Sequence, residues 1–108
     1  MMSSSASNPR RILTYGYDEV LLDTRQAVLE MAGYEADIAR SADEFHHRVS
    51  KADTPYDLFI LCHTVPPVEQ SSIRQAATDA GVAVYGMCSS ISPEDFLHQV
   101  RAVLAIRW

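Results

Sequence analysis

The sequence has few of the residues that mark a secreted or membrane-embedded protein. Its 108 residues include only two cysteines, Cys62 and Cys88, so no disulfide framework is implied and a cytoplasmic location is expected. No long uninterrupted apolar run occurs, and we therefore expect no membrane-spanning segment. The opening stretch MMSSSASNPRR has no apolar core and is not expected to act as a secretory signal.

Positive charge is also scarce. Lys and Arg number 9 against 14 Asp and Glu residues, which gives a formal net charge of −5, and Lys51 is the single lysine. Nucleic acids and anionic membranes attract proteins with an excess of positive charge, so neither is expected as a partner. The apolar fraction of 47% is that of an ordinary globular domain. We predict a disordered, serine-rich tail over residues 1–9 and one domain over residues 10–108.

Short apolar runs alternate with amphipathic segments along that domain. Four runs are predicted to be strands, at residues 12–15, 35–39, 58–62 and 82–87. A helical segment follows each of these strands. In the first helical segment the apolar residues at roughly helical spacing are Val20, Leu21, Val28 and Met31. Parallel strands need helical crossovers of one hand, so the alternation predicts an α/β fold with a doubly wound parallel sheet.

Capping residues set the expected helix boundaries. Gly33 follows the first helix in the usual position of a left-handed C-terminal cap. Ser41 and Glu44 have capping-box spacing at the start of the second helix. Ser92 and Pro93 open the last helix, which is expected to bury Phe96, Val100 and Leu104 and to lie beside the first helix.

The order of these elements resembles the receiver domain of two-component response regulators. Three stretches carry the resemblance, namely ILTYGYDEVLLDTRQAVLEMAGYEADIARSADEF, YDLFILCHTVPP and SPEDFLHQVRAVL. It implies a flavodoxin-like sheet with strand order 2-1-3-4. The passage from GVAVYGM almost directly to SSISPEDF leaves no room for the fourth helix and fifth strand of a receiver.

The resemblance also implies a phosphorylation pocket, and here the sequence departs from the family. Receivers hold Mg²⁺ with an acidic pair after the first strand, and that pair falls on Gly16 and Tyr17, with Asp18 just beyond. The phosphoacceptor position falls on Cys62. The Thr or Ser position falls on Gly86, or on Ser89 if the loop slips, and no lysine follows.

These replacements predict that phosphoryl transfer is lost. Mg²⁺ prefers several oxygen ligands, and the Gly, Tyr and Cys at these positions supply no carboxylate. Without the metal, the charge on a transferring phosphoryl group is not neutralised. We therefore expect no metal, no cofactor and no catalytic residue in a degenerate pocket made of Gly16, Tyr17, Asp18, Cys62 and Gly86.

Cys62 itself has several interpretations. The plainest is a small apolar residue that plugs the end of the third strand. A redox pair with Cys88 is an alternative, because neighbouring strands would bring both residues to the same edge of the sheet. A metal site that includes His63 is less favoured, since none of the known zinc spacings is present.

The leading hypothesis is a non-catalytic receiver-like signalling module that binds a protein partner. The missing fifth strand would leave the fourth strand at the sheet edge, with an interaction edge at Val82, Val84 and Tyr85 that a homodimer or a partner could cover. One alternative is a redox or small-molecule sensor using Cys62, Cys88 and the Gly16-Tyr17 rim. Another is a residual phosphoacceptor receiver that uses Asp18.

Overall fold

The computed structural model describes residues 10–51, 56–62, 65–86 and 92–106. The predicted tail at residues 1–9 lies outside the described residues. The elements in chain order are β1 (Arg11–Tyr15), α1 (Glu19–Met31), β2 (Glu35–Ala39), α2 (Ala42–Lys51), β3 (Leu58–Leu61), α3 (Pro67–Ala80), β4 (Ala83–Gly86) and α4 (Pro93–Ile106). None of the helices in this part of the chain is long and apolar enough to cross a membrane.

The sheet is parallel, with strand order β2-β1-β3-β4. Thr14 of β1 lies opposite Ile38 of β2 and Ile60 of β3, and Ile60 lies opposite Tyr85 of β4. The predicted flavodoxin-like sheet and its order are thus confirmed. The described residues form four strands and four helices. A full receiver has a fifth strand and one more helix before its last helix, and neither is present among the described residues.

Helices cover the sheet on both faces. One core cluster joins α1 and α4 to the sheet and contains Ile12, Leu29, Ala36, Leu58, Ile60, Phe96, Val100 and Leu104. The cluster on the other face joins α2 and α3 and contains Leu13, Tyr15, Ala39, Phe45, Tyr56, Phe59, Leu61, Val65, Ile73 and Ala77. The prediction that α4 lies beside α1 and buries its apolar stripe is therefore confirmed.

The helix boundaries follow the local signals. Gly33 and Gly81 have φ values of 96° and 71° after the ends of α1 and α3, a conformation that favours glycine. The Ser41 hydroxyl accepts a hydrogen bond from the backbone N–H of Glu44 at 3.1 Å, and Ser92 does the same for Asp95 at 3.2 Å. These hydrogen bonds satisfy N–H groups that have no partner within the helix.

The prediction for the apolar residues of α1 is wrong in part. Val28 packs against the core on the α1–α4 side, but Val20 and Met31 are 73% and 89% exposed. The buried residues are Leu22, Arg25 and Leu29. They recur at helical spacing, but a search for apolar residues misses this stripe because its central residue is an arginine.

The fourth strand lies at the edge of the sheet, as expected. β4 begins at Ala83, one residue later than predicted, and every residue from Val82 to Gly86 is only half-buried. Among the described residues β4 pairs with β3 alone.

Phe96 provides a test of the packing between α4 and the sheet. It is 2% exposed, and Phe96→Ala should lower the free energy of unfolding by about 3–5 kcal/mol because the cavity left behind adds to the lost burial. Met31→Ala serves as a control, since this exposed residue should change stability by less than about 0.5 kcal/mol. Urea unfolding followed by circular dichroism measures both, and equal effects of the two substitutions would contradict the packing.

Candidate functional site

The predicted pocket residues lie at one edge of the sheet, where the parallel strands end. Gly16 directly follows β1, Cys62 directly follows β3, and Gly86 is the last residue of β4, opposite Leu61. The backbone N–H of Cys62 donates to the carbonyl of Tyr15 at 2.9 Å. In open α/β sheets this is the edge at which ligands bind.

Cys62 is buried beside an arginine. The thiol is only 2% exposed and packs with Leu22 and Ile38. Nη1 of Arg25 donates to Cys62 Sγ at 2.9 Å, and the Arg25 side chain is itself only 6% exposed. Burial raises the pKa of the Cys62 thiol, although the nearby guanidinium opposes the shift. Cys62 is therefore a protonated thiol at neutral pH.

Sequence reasoning did not identify Arg25. The signal was present, since Arg25 lies three residues after Leu22 and four before Leu29 on the buried stripe of α1. The guanidinium carbon also lies 6.0 Å from the ring centroid of Phe96. Arg25 thus links the acceptor position to the α4 side of the core.

Asp18 serves as the N-terminal cap of α1. Its Oδ1 accepts hydrogen bonds from the backbone N–H groups of Val20 at 3.0 Å and Leu21 at 3.2 Å. A carboxylate at this position also interacts favourably with the helix dipole. The charge of Asp18 also makes a minor contribution to the raised pKa of the Cys62 thiol.

A tyrosine pair shares one carboxylate on the other side of the rim. The hydroxyl of Tyr15 donates to Glu69 Oε1 and the hydroxyl of Tyr17 donates to Glu69 Oε2. The two rings meet edge to face, with centroids 6.0 Å apart. These bonds connect the segment after β1 to the first turn of α3, and sequence reasoning missed Glu69 because its partners are more than fifty residues away.

The shared carboxylate changes the pKa values of the group. The two phenol hydrogen bonds hold the pKa of Glu69 below its usual range. Burial and the bond to Glu69 raise the pKa of Tyr15, and the bond to Glu69 raises the pKa of Tyr17. The stable form at neutral pH is therefore one carboxylate with two protonated phenols.

Arg74 occupies the space beside Gly86. A Cβ added to Gly86 would lie 2.6 Å from Nη2 of Arg74, so the α3 side chain fills the place that a Thr or Ser side chain would take at this position. Sequence reasoning did not identify this contact, which depends on how α3 packs against β4.

A metal site or a redox pair would require metal-binding side chains or the two cysteines to lie close together. Among the residues that the structure describes, no three His, Cys, Asp or Glu side chains are grouped so that they could hold a metal ion. Cys62 is a free thiol, whereas Cys88, Ser89 and His63 lie outside the described residues. The Cys62–Cys88 pair therefore remains a prediction.

Comparison with known proteins identifies the class of fold. No protein-family model and no curated protein matches the sequence. The structure is similar to a CheY-like response regulator receiver domain from Methanospirillum hungatei, with a TM-score of 0.66 and 20% identity over 91% of this chain and 95% of that one. A receiver protein from Burkholderia phymatum has a TM-score of 0.65 and 21% identity over 89% of this chain and 95% of that one.

A third structure agrees with these two. Chemotaxis protein CheY4 from Vibrio cholerae has a TM-score of 0.65 and 17% identity, and the match covers 89% of this chain and 99% of that one. The chain therefore has the fold of CheY-like receiver domains. At these identities the similarity establishes the fold and leaves the activity to be argued from the site.

The tyrosine–Glu69 cluster has a predicted pH signature. Glu69→Gln removes an acid whose folded-state pKa is lowered, so its contribution to stability is present above the unfolded value of about 4.3 and is lost as pH falls through the folded pKa. The raised pKa of Tyr17 stabilises the fold below about pH 10, and this contribution is lost as pH rises through the folded pKa.

The stability difference between the wild type and Glu69→Gln should therefore be largest between about pH 5 and pH 9 and should shrink on both sides. Urea unfolding at several pH values measures it. Glu94→Gln is the matched control, since Glu94 is an exposed acid in the first turn of α4 and should show no maximum of this kind. A difference that is independent of pH would contradict the shared-carboxylate arrangement.

Proposed function

We propose that this chain is a non-catalytic, receiver-like signalling module of two-component type that acts by protein–protein interaction. The observation that carries the proposal is the contact between Arg25 and Cys62 at the acceptor position. A buried thiol beside a buried guanidinium occupies the place where a receiver presents an exposed carboxylate. The fold of CheY-like receivers supports the assignment to signalling.

The rim supplies too little negative charge for a receiver's Mg²⁺ site. Gly16 and Tyr17 stand where the acidic pair would be, and the Tyr17 hydroxyl is hydrogen-bonded to Glu69. Asp18 is engaged at the N-terminus of α1. A hard cation prefers six or so oxygen ligands. The two carboxylates of the rim are already engaged, Asp18 in capping α1 and Glu69 with the two tyrosine hydroxyls, so binding a cation would cost these hydrogen bonds. This supports a module that receives its signal from a partner rather than from phosphate.

The remaining alternatives concern Asp18 and the cysteines. A residual receiver would use Asp18 as phosphoacceptor. A redox sensor would join Cys62 to Cys88, and a small-molecule sensor would use the Gly16-Tyr17 rim. No observation on the described residues favours any of these over the non-catalytic module.

Phosphodonor labelling tests the proposal. With acetyl phosphate and millimolar Mg²⁺, intact mass spectrometry should show no stable phosphoryl adduct, because neither the acceptor carboxylate nor the metal-binding pair is in place. A receiver domain with an intact acidic pair, treated in parallel, is the positive control. An adduct on the wild type that Asp18→Asn abolishes would instead establish the residual-receiver alternative.

The proposed interaction surface is the edge of β4. Within the part of the chain that the structure describes, this strand pairs with β3 on one side only, and edge strands commonly pair with another chain. Val82 and Val84 pack toward the α2–α3 side of the sheet, and Tyr85 packs toward the α1–α4 side. The side chains of β4 are thus held on both faces of the sheet, and its backbone forms the edge between them. We propose that a partner protein or a second copy of the chain adds to this edge. A twofold homodimer would cover both edges symmetrically.

Proline scanning combined with light scattering tests the dimer. Successive N–H groups of a strand point to opposite sides, so only one of Val84→Pro and Tyr85→Pro removes an N–H from the outer edge, while the other removes one that faces β3. The wild type should be dimeric at micromolar concentration. The proline variant that removes an N–H from the outer edge should be monomeric, and its free energy of unfolding in urea should be nearly unchanged. A wild type that is monomeric with slowly exchanging β4 amides would contradict edge pairing.

A further inference from the structure

A second candidate site lies at the opposite end of the sheet from Cys62. A cavity of about 220 Å³ is lined by Arg11, Asp37, His47, Arg48, Lys51 and Tyr56. Arg11 is the first residue of β1, and the basic residues of α2 come from its last turn. Three basic side chains, from Arg11, Arg48 and Lys51, and one carboxylate therefore line this cavity, in a protein whose net charge is −5. The chain has a single lysine, and it lies at this cavity.

The one carboxylate in the cavity is already neutralised. Asp37 Oδ2 accepts a hydrogen bond from the Tyr56 hydroxyl at 2.6 Å and lies 3.6 Å from Nη2 of Arg11. The Arg11 guanidinium in turn lies over the Tyr56 ring, 4.6 Å from its centroid. Burial and the bond to Asp37 raise the pKa of Tyr56 to about 12, so the phenol stays protonated and remains a donor.

The other two cations are poorly compensated. Nη2 of Arg48 lies 3.8 Å from Glu44 Oε2, a long contact on the surface of α2, and Arg48 Nε is buried without a hydrogen-bond partner in the described part of the chain. A buried guanidinium N–H without an acceptor is costly, and an anion in the cavity would supply one. Lys51 has no ion pair within the same described residues.

Compensation of the α2 dipole explains only part of this arrangement. Basic residues in the last turn of a helix interact favourably with its C-terminal end, which accounts for the positions of Arg48 and Lys51. It does not account for Arg11, which comes from β1, or for the buried Nε of Arg48. The cations come from separate elements and converge on one cavity, as they do in sites that bind anions.

We propose that this cavity binds a small phosphate-bearing ligand. Lys51 and Arg48 are its principal contacts, and Arg11 and Tyr56 neutralise Asp37 beside it. Sites for drug-sized molecules measure about 300–1,000 Å³, so 220 Å³ suits a phosphate or diphosphate group rather than a larger molecule. Arg pairs with phosphate through two N–H groups and Lys binds it as a point charge. The site is independent of the pocket at Cys62 and of the function proposed above.

Titration calorimetry with inorganic pyrophosphate, in a phosphate-free buffer of low ionic strength, tests the proposal on the full chain. The expected result is saturable one-site binding with a dissociation constant below about 1 mM. Lys51→Gln should weaken binding about tenfold, since it removes one charge-assisted contact. Lys51 is exposed, so the variant should fold like the wild type.

The control variant is Arg101→Gln, which removes the same charge from an exposed position on α4, a helix of the opposite sheet face. It should retain wild-type affinity to within about twofold once charge screening is matched. Amide chemical shifts should change at Arg48 and Lys51 on titration. Absence of binding at millimolar pyrophosphate, equal weakening by the two variants, or shift changes confined to the Cys62 rim would each overturn the site. Citrate that binds as tightly as pyrophosphate would overturn the assignment to phosphate.

Discussion

The contact between Arg25 and Cys62 is the interaction on which the rest of the account depends. Arg25 is 6% exposed and Cys62 is 2% exposed, and buried polar groups need hydrogen-bond partners. The guanidinium donates to the thiol sulfur at 2.9 Å. The contact lies on the buried face of α1, between Leu22 and Leu29, and the Arg25 guanidinium also lies near the ring of Phe96 on α4. Our proposal for the function depends on it, because Cys62 is neither exposed nor acidic.

Other polar groups of the rim are also engaged within the described part of the chain. Asp18 caps α1, and the two tyrosine hydroxyls share Glu69. A receiver keeps acidic groups together at this edge, and a cation is then needed to offset their repulsion. Here Asp18 and Glu69 are engaged by groups of the chain itself, and this supports the proposal of a module that acts through contacts between proteins.

The fold could be predicted further than the site. Strand periodicity and caps such as Ser41 and Ser92 are local signals that predict the elements, whereas the strand order was what the resemblance to receiver domains implied. The buried stripe of α1 was mispredicted because Arg25, a charged residue, lies at its centre. The pairing of Glu69 with Tyr15 and Tyr17, and of Arg74 with Gly86, depends on how α3 packs on the sheet, and one sequence carries no signal for contacts between such distant residues.

The most direct measurement is the alkylation rate of Cys62 by iodoacetamide, resolved from that of Cys88 by peptide mapping. Only the thiolate reacts, and Cys62 is buried with its pKa raised. The account predicts that between pH 7 and pH 9 native Cys62 reacts far more slowly than the same residue in urea-unfolded chain. Reaction of native Cys62 at pH 7 as fast as in the unfolded chain would contradict it, since the residue would then be an accessible thiolate at the end of β3.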